Sequence, residues 1–94
     1  MNAQTYIDRD LLSRLSSQCG QCLDLANVLL ATDEMLQLAR AGSWDRVGEL
    51  ERSRHKRLRR CFAQPVHVAN SEIFSEALAV MLHLNEELVA LLEA

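Results

Sequence analysis

The chain has few residues that break helices and few aromatic side chains. Its 94 residues include only 3 glycines and 1 proline, and aromatic residues make up 4%. A sandwich or barrel needs many turns, so this scarcity argues against both folds. No uncharged apolar run reaches the length of about 18 residues that a membrane-spanning helix requires. These absences favour long helices, and we predict an all-α fold with no membrane span.

The length and the charge distribution favour a small binding module. Ninety-four residues suit one core, so we predict a single helical domain over residues 1–94. The net charge is −3, but 46–60 hold seven basic and two acidic residues, whereas 61–94 hold five acidic residues and no lysine or arginine. A chain this short leaves apolar helix surface uncovered, which favours a protein that binds a partner over an enzyme.

The cysteines and the N-terminal residues predict a cytoplasmic protein with reduced thiols. Charged side chains at 8–10 interrupt any apolar core of a secretory signal. Cys19 and Cys22 have the C-x-x-C spacing, but no strand pattern precedes them, and a zinc site would need Cys61 and His67 at an unusual spacing. Both fall on the apolar stripe of a helix, where cysteine acts as a small hydrophobe. We therefore predict core filling and no metal.

Apolar residues at steps of three and four predict a long first helix from Tyr6 to about Arg40. A break at Thr32, with its hydroxyl capping a new helix, is the alternative. Gly42 is suited to terminate this helix, and Ser43 to cap the next one.

The remaining sequence predicts two further helices. The second runs from Trp44 to about Phe62 and ends before Pro65, which cannot continue a helix. The third is capped by Asn70 or Ser71 and continues to the C-terminus. We expect an antiparallel bundle of three main helices, in which the long first helix forms a hairpin with the second.

The third helix carries two apolar stripes instead of one. The first includes Phe74, Met81 and Leu88, and the apolar arc spans about 200°, against the roughly 100° that packing on one side needs. Either the helix lies centrally between the other two, or the second stripe forms a groove or a dimer face. The second stripe supplies the candidate client-binding residues: Leu78, Leu82, Val89 and Leu92.

The second helix is strongly basic. Arg52, Lys56 and Arg59 lie outside its apolar arc, so we expect them to project from the bundle as a basic surface for acidic protein partners. Binding to nucleic acid phosphates is the less favoured interpretation, because the net charge is negative. Arg54 lies within the apolar arc and needs a partner, and hairpin geometry predicts an ion pair with Asp33.

No pattern in the sequence indicates catalysis. We find no serine, histidine and aspartate set, no glycine-rich phosphate loop and no carboxylate pair, and we predict neither enzymatic activity nor a cofactor.

Three short segments carry a resemblance to a known family. They are Ala41-Gly42-Ser43-Trp44-Asp45, Leu50-Glu51-Arg52-Ser53-Arg54 and Leu84-Asn85-Glu86-Glu87-Leu88. With a long first helix and an apolar last helix, this pattern resembles the flagellar export chaperones of the FliT type. The resemblance implies a helical bundle that holds the C-terminal region of the filament-cap protein FliD before export and that contacts the export ATPase machinery.

The same resemblance bears on regulation. Some family members also bind the flagellar master regulator, and longer members have an additional C-terminal helix that controls client access. This chain ends at Ala94, so we expect a client groove that no such helix covers. Two other functions stay open from the residues alone: a dimeric helical adaptor or structural protein that buries the second stripe against another copy, and a nucleic-acid-binding protein that uses the basic helix.

Overall fold

The computed structural model describes residues 7–18 and 20–93, and in this part of the chain the regular structure is entirely helical. Four α-helices pack together there. Their bounds are α1 Arg9–Gln18, α2 Gly20–Arg40, α3 Trp44–Cys61 and α4 Ser71–Glu93, with a short 3-10 helix at Val68–Asn70 before α4. The fold class is therefore as predicted, but the described helices number four where three main helices were expected.

The predicted first helix is described as two elements. Tyr6 and Cys19 lie outside the described residues, and helix α1 begins at Arg9. Asp8 sets this start, because its carbonyl accepts from the Leu12 N–H at 3.1 Å and its carboxylate accepts from the backbone N–H two residues later at 2.9 Å. Helix α2 continues through Thr32 without a break. The Thr32 hydroxyl donates to the Val28 carbonyl at 2.8 Å and caps nothing.

A tight turn at Gly42 joins α2 to α3. Gly42 has φ +82°, a left-handed conformation that favours glycine. The Gly42 N–H donates to the Ala39 carbonyl at 3.0 Å, and the Ser43 N–H donates to the Leu38 carbonyl at 2.9 Å. These two bonds form a Schellman motif, so Gly42 terminates α2 as predicted. Ser43 occupies the N-cap position of α3, but its side chain makes no capping hydrogen bond, contrary to expectation.

Helix α2 is the central element, since it packs against α1, α3 and α4. Its buried side chains are distributed around most of its circumference: Cys22, Leu25, Ala26, Val28, Leu29, Thr32, Asp33, Met35, Leu36 and Ala39. Helix α4 buries one stripe against this core: Ile73, Phe74, Ala77, Met81, Leu84 and Leu88. The sequence allowed a central position for the last helix. In the structure α2 occupies that position instead.

Polar contacts between helices show how the helices are arranged. The Gln21 side-chain amide, at the start of α2, donates to the Cys61 carbonyl at the end of α3 at 2.7 Å, so these two helices are antiparallel. Arg40, at the end of α2, pairs with Glu87 of α4 at 2.8 Å. Arg14 joins α1 to α4 through Glu76 at 3.0 Å.

Candidate functional site: a groove between α3 and α4

Helices α3 and α4 both pack on α2, and an open groove of about 490 Å³ separates them. Met35 of α2 contributes to its floor. One wall belongs to α3 and the other to α4. The lining residues are Met35, Trp44, Val47, Gly48, Glu51, Arg54, Asn85, Leu88, Val89 and Leu92.

One end of the groove is apolar. Trp44 and Val47 form the α3 wall there, because both fall on the same side of the first turns of α3. Leu92 and Val89 stand opposite them on α4 and keep 65% and 48% of their surface exposed. Exposure of several large apolar side chains beside one groove is typical of a surface that another molecule covers.

The other end is polar and is organised by Arg54. Its side chain is only 12% exposed. The guanidinium donates to the Thr32 hydroxyl of α2 at 3.1 Å, to the Asn85 side-chain oxygen of α4 at 2.8 Å and to the Glu51 carboxylate of α3 at 2.6 Å. The contacts described for Arg54 thus join all three helices around the groove, and its pairing with Asp33 stays a prediction.

The groove continues along α4 into a shallower depression of about 320 Å³. Asn85 and Val89 line both, so the two form one continuous surface. Leu82, which is 58% exposed, lies in this second part. Two carboxylates, Glu86 and Glu93, also line it. The outer edge of the surface on α4 is therefore both apolar and acidic.

The four candidate client-binding residues do not all lie at the groove. Val89 and Leu92 line the groove, and Leu82 lines the adjoining depression. Leu78 lines neither, because it is partly buried against the core. Their role in binding stays a prediction. The opposite wall was not predicted as part of the site, although the spacing of three residues between Trp44 and Val47 places both on one face of the second helix.

Three basic residues of α3 are exposed. Arg52, Lys56 and Arg59 are all exposed, in line with the expectation that they project from the bundle. Their contact with an acidic partner stays a prediction. Arg52 lies beside the groove, since its Nη1 atom is 4.0 Å from the position that a Cβ atom would occupy at Gly48.

The cysteines that are described are core residues. Cys22 and Cys61 are buried free thiols, whereas Cys19 lies outside the described residues. Within 7–18 and 20–93, no group of three or more histidine, cysteine, aspartate or glutamate side chains is arranged to hold a metal ion. No helix among the described residues combines the length and the apolar character needed to cross a membrane.

A comparison with known protein families matches the part of the chain that builds the groove. A family model described as "Flagellar protein FliT" matches residues 23–94. The match includes every residue that lines the groove and the adjoining depression. No curated protein and no solved structure matches the chain. Since the family match spans more than half of the sequence, the chain belongs to the FliT family of flagellar proteins.

Proposed function

We propose that this protein is a cytoplasmic flagellar export chaperone that holds an amphipathic helical segment of the filament-cap protein FliD in the groove between α3 and α4. Membership of the FliT family implies a flagellum-related chaperone role and flagellar partner proteins, and the family is not known for enzymatic activity. The observation that carries the proposal is the exposed apolar row of Leu82, Val89 and Leu92 along this surface.

The dimensions of the groove suit a helix of the client. From Leu82 to Leu92, α4 rises about 15 Å, which equals roughly three helical turns. A client helix of that length presents apolar residues at positions i, i+3, i+4 and i+7 to a groove of this kind. Burying one leucine-sized anchor stabilises the complex by about 1.5 to 3 kcal/mol before the costs of ordering are subtracted.

Aspartate substitutions in the groove test the proposal. We expect Val89→Asp and Leu92→Asp to weaken binding to purified FliD at least about tenfold, because each places a charge where an apolar anchor packs. Both side chains are exposed, so the variants keep their helicity. Calorimetric titration gives the affinity, and circular dichroism gives the helicity of the same samples.

Leu30→Asp is the matched control. Leu30 is a half-exposed leucine on α2 that does not line the groove. We expect this variant to bind FliD as the wild type does. Groove variants that unfold instead would assign Val89 and Leu92 to the core. Folded groove variants that become monomeric from a dimer and still bind FliD would assign the surface to self-association.

Salt dependence tests the nucleic acid alternative. Tight binding of the wild-type protein to unrelated DNA duplexes, lost steeply as salt rises, would contradict the chaperone proposal and support phosphate contacts by the basic face of α3. We expect no such binding at physiological salt, because the protein carries a net charge of −3.

A further inference from the structure

Gly48 lines the groove from within α3, yet the fold itself does not need a glycine there. A glycine inside a helix is less stable than an alanine. Among the described glycines only Gly42 has a positive φ, so the helical backbone at Gly48 does not require a glycine. A Cβ atom at this position would meet a single neighbour, the Arg52 guanidinium, at 4.0 Å. The missing side chain therefore leaves open space that nothing described in this chain fills.

Arg52 places a positive charge beside that space. Its side chain makes no hydrogen bond or ion pair with another residue in the described part of the chain, whereas the side chain of Arg54, about half a turn further along, donates to three residues. Arg52 is also exposed. The opposite side of the same surface carries the carboxylates of Glu86 and Glu93. On the α3 wall Glu51 is already paired with Arg54 at 2.6 Å, so Arg52 supplies the charge beside the groove that is left for a partner, whereas Glu86 and Glu93 line the adjoining depression.

We propose that Gly48 and Arg52 together form a docking position for an acidic amphipathic helix of the client. An apolar side chain of that helix packs against the bare backbone at Gly48, and an aspartate or glutamate beside it pairs with the Arg52 guanidinium. The absent side chain lets the client helix approach α3 closely, and the charge sets which edge of the helix faces α3. This inference rests on the proposed function and adds the chemistry of the client.

A leucine at position 48 tests the close approach. We expect Gly48→Leu to bind purified FliD at least about tenfold more weakly than the wild type, because the new side chain occupies the space of the client anchor. The fold accommodates it, since the only atom near a new Cβ belongs to a flexible exposed side chain. We expect Gly48→Ala to raise the Tm by roughly 3 to 6 °C without increasing the affinity for FliD. Affinity is measured by calorimetry, and Tm by circular dichroism.

Gly20→Leu is the control for bulk. Gly20 is an exposed helical glycine of α2 whose added Cβ would meet no atom within 4 Å, and it lies outside the groove. We expect this variant to bind FliD normally. Wild-type affinity in Gly48→Leu would overturn the inference and leave the proposed function standing. Failure of the wild-type protein to bind FliD would overturn both.

Charge reversal tests the carboxylate contact. We expect Arg52→Glu to weaken FliD binding at least about tenfold in low salt, with a smaller difference at high salt. Arg46→Glu is the control, because it makes the same change of charge on an exposed arginine of α3 that does not line the groove. Equal effects of the two substitutions would show that Arg52 acts only through the net charge of the protein. That result would overturn its assignment as a specific contact.

Discussion

Arg54 connects the three helices that surround the groove. It is a nearly buried charge whose hydrogen bonds reach α2, α3 and α4 through Thr32, Glu51 and Asn85. Partners of this kind offset the cost of burying a guanidinium, and here they satisfy both Nη atoms, whereas the buried Nε atom has no partner among the described residues. The Thr32 hydroxyl accepts from Arg54 while it donates to the carbonyl of Val28, so its hydrogen-bonding capacity is used in both directions.

We expect Arg54→Met to lower the free energy of unfolding by about 1 to 3 kcal/mol, because Asn85 and Thr32 lose a donor while most of the side-chain volume is kept. Urea denaturation measures the change. Arg59 is exposed on the same helix. The free energy of unfolding of Arg59→Met should therefore stay within about 0.5 kcal/mol of the wild-type value. Equal losses in the two variants would contradict a joining role for Arg54.

The helix termini show how single residues set the length of an element. Helix α2 ends in a Schellman motif at Gly42, and α3 begins two residues later at Trp44. An added Cβ at Gly42 would meet no atom within 4 Å. Any cost of a side chain there therefore comes from its left-handed backbone, with φ +82°, and not from a clash.

Glycine-to-alanine substitutions at Gly42 and Gly48 should therefore change the stability of the protein in opposite directions. We expect Gly42→Ala to destabilise the protein by about 1 to 2 kcal/mol because alanine is strained in the left-handed region. Gly48→Ala should stabilise it by about 0.5 to 1 kcal/mol, because the backbone there is helical. Thermal unfolding of both variants measures the two shifts. The same sign in both would refute this account of the turn.

The apolar residues of α4 have two roles, because some of them build the core and others line an open surface. Leu84 is 0% exposed in the core, and Leu92 is 65% exposed at the groove. We expect Leu84→Ala to lower the free energy of unfolding by about 2 to 5 kcal/mol, because it leaves a cavity. Leu92→Ala should change it by less than about 0.5 kcal/mol.

Client binding supplies the complementary measurement for these two variants. Leu92→Ala should weaken FliD binding, whereas Leu84→Ala should bind normally at a temperature where it remains folded. Urea denaturation and calorimetric titration of the same samples separate the two roles. A large loss of stability in Leu92→Ala would show that the second stripe belongs to the core.

Features that depend on neighbours along the chain could be predicted without the structure. Scarce glycine and proline predicted an all-helical protein, and the structure is helical throughout its regular elements in the described residues. The second helix was predicted from Trp44 to about Phe62 and is found at Trp44–Cys61. Helix termini are local, because capping residues, a left-handed glycine and a proline each act within a few residues.

Which helix faces are covered depends on how the helices pack against one another. Periodicity assigned Val89 and Leu92 to one face of the last helix but did not determine whether another helix packs on it. It likewise did not identify α2 as the central element or bring Trp44 opposite Leu92 across a groove. The partners described for Arg54 lie 22 and 31 residues away as well as within its own helix. Such pairings depend on the angles and the order in which helices pack, which are properties of the assembled core and not of any single segment.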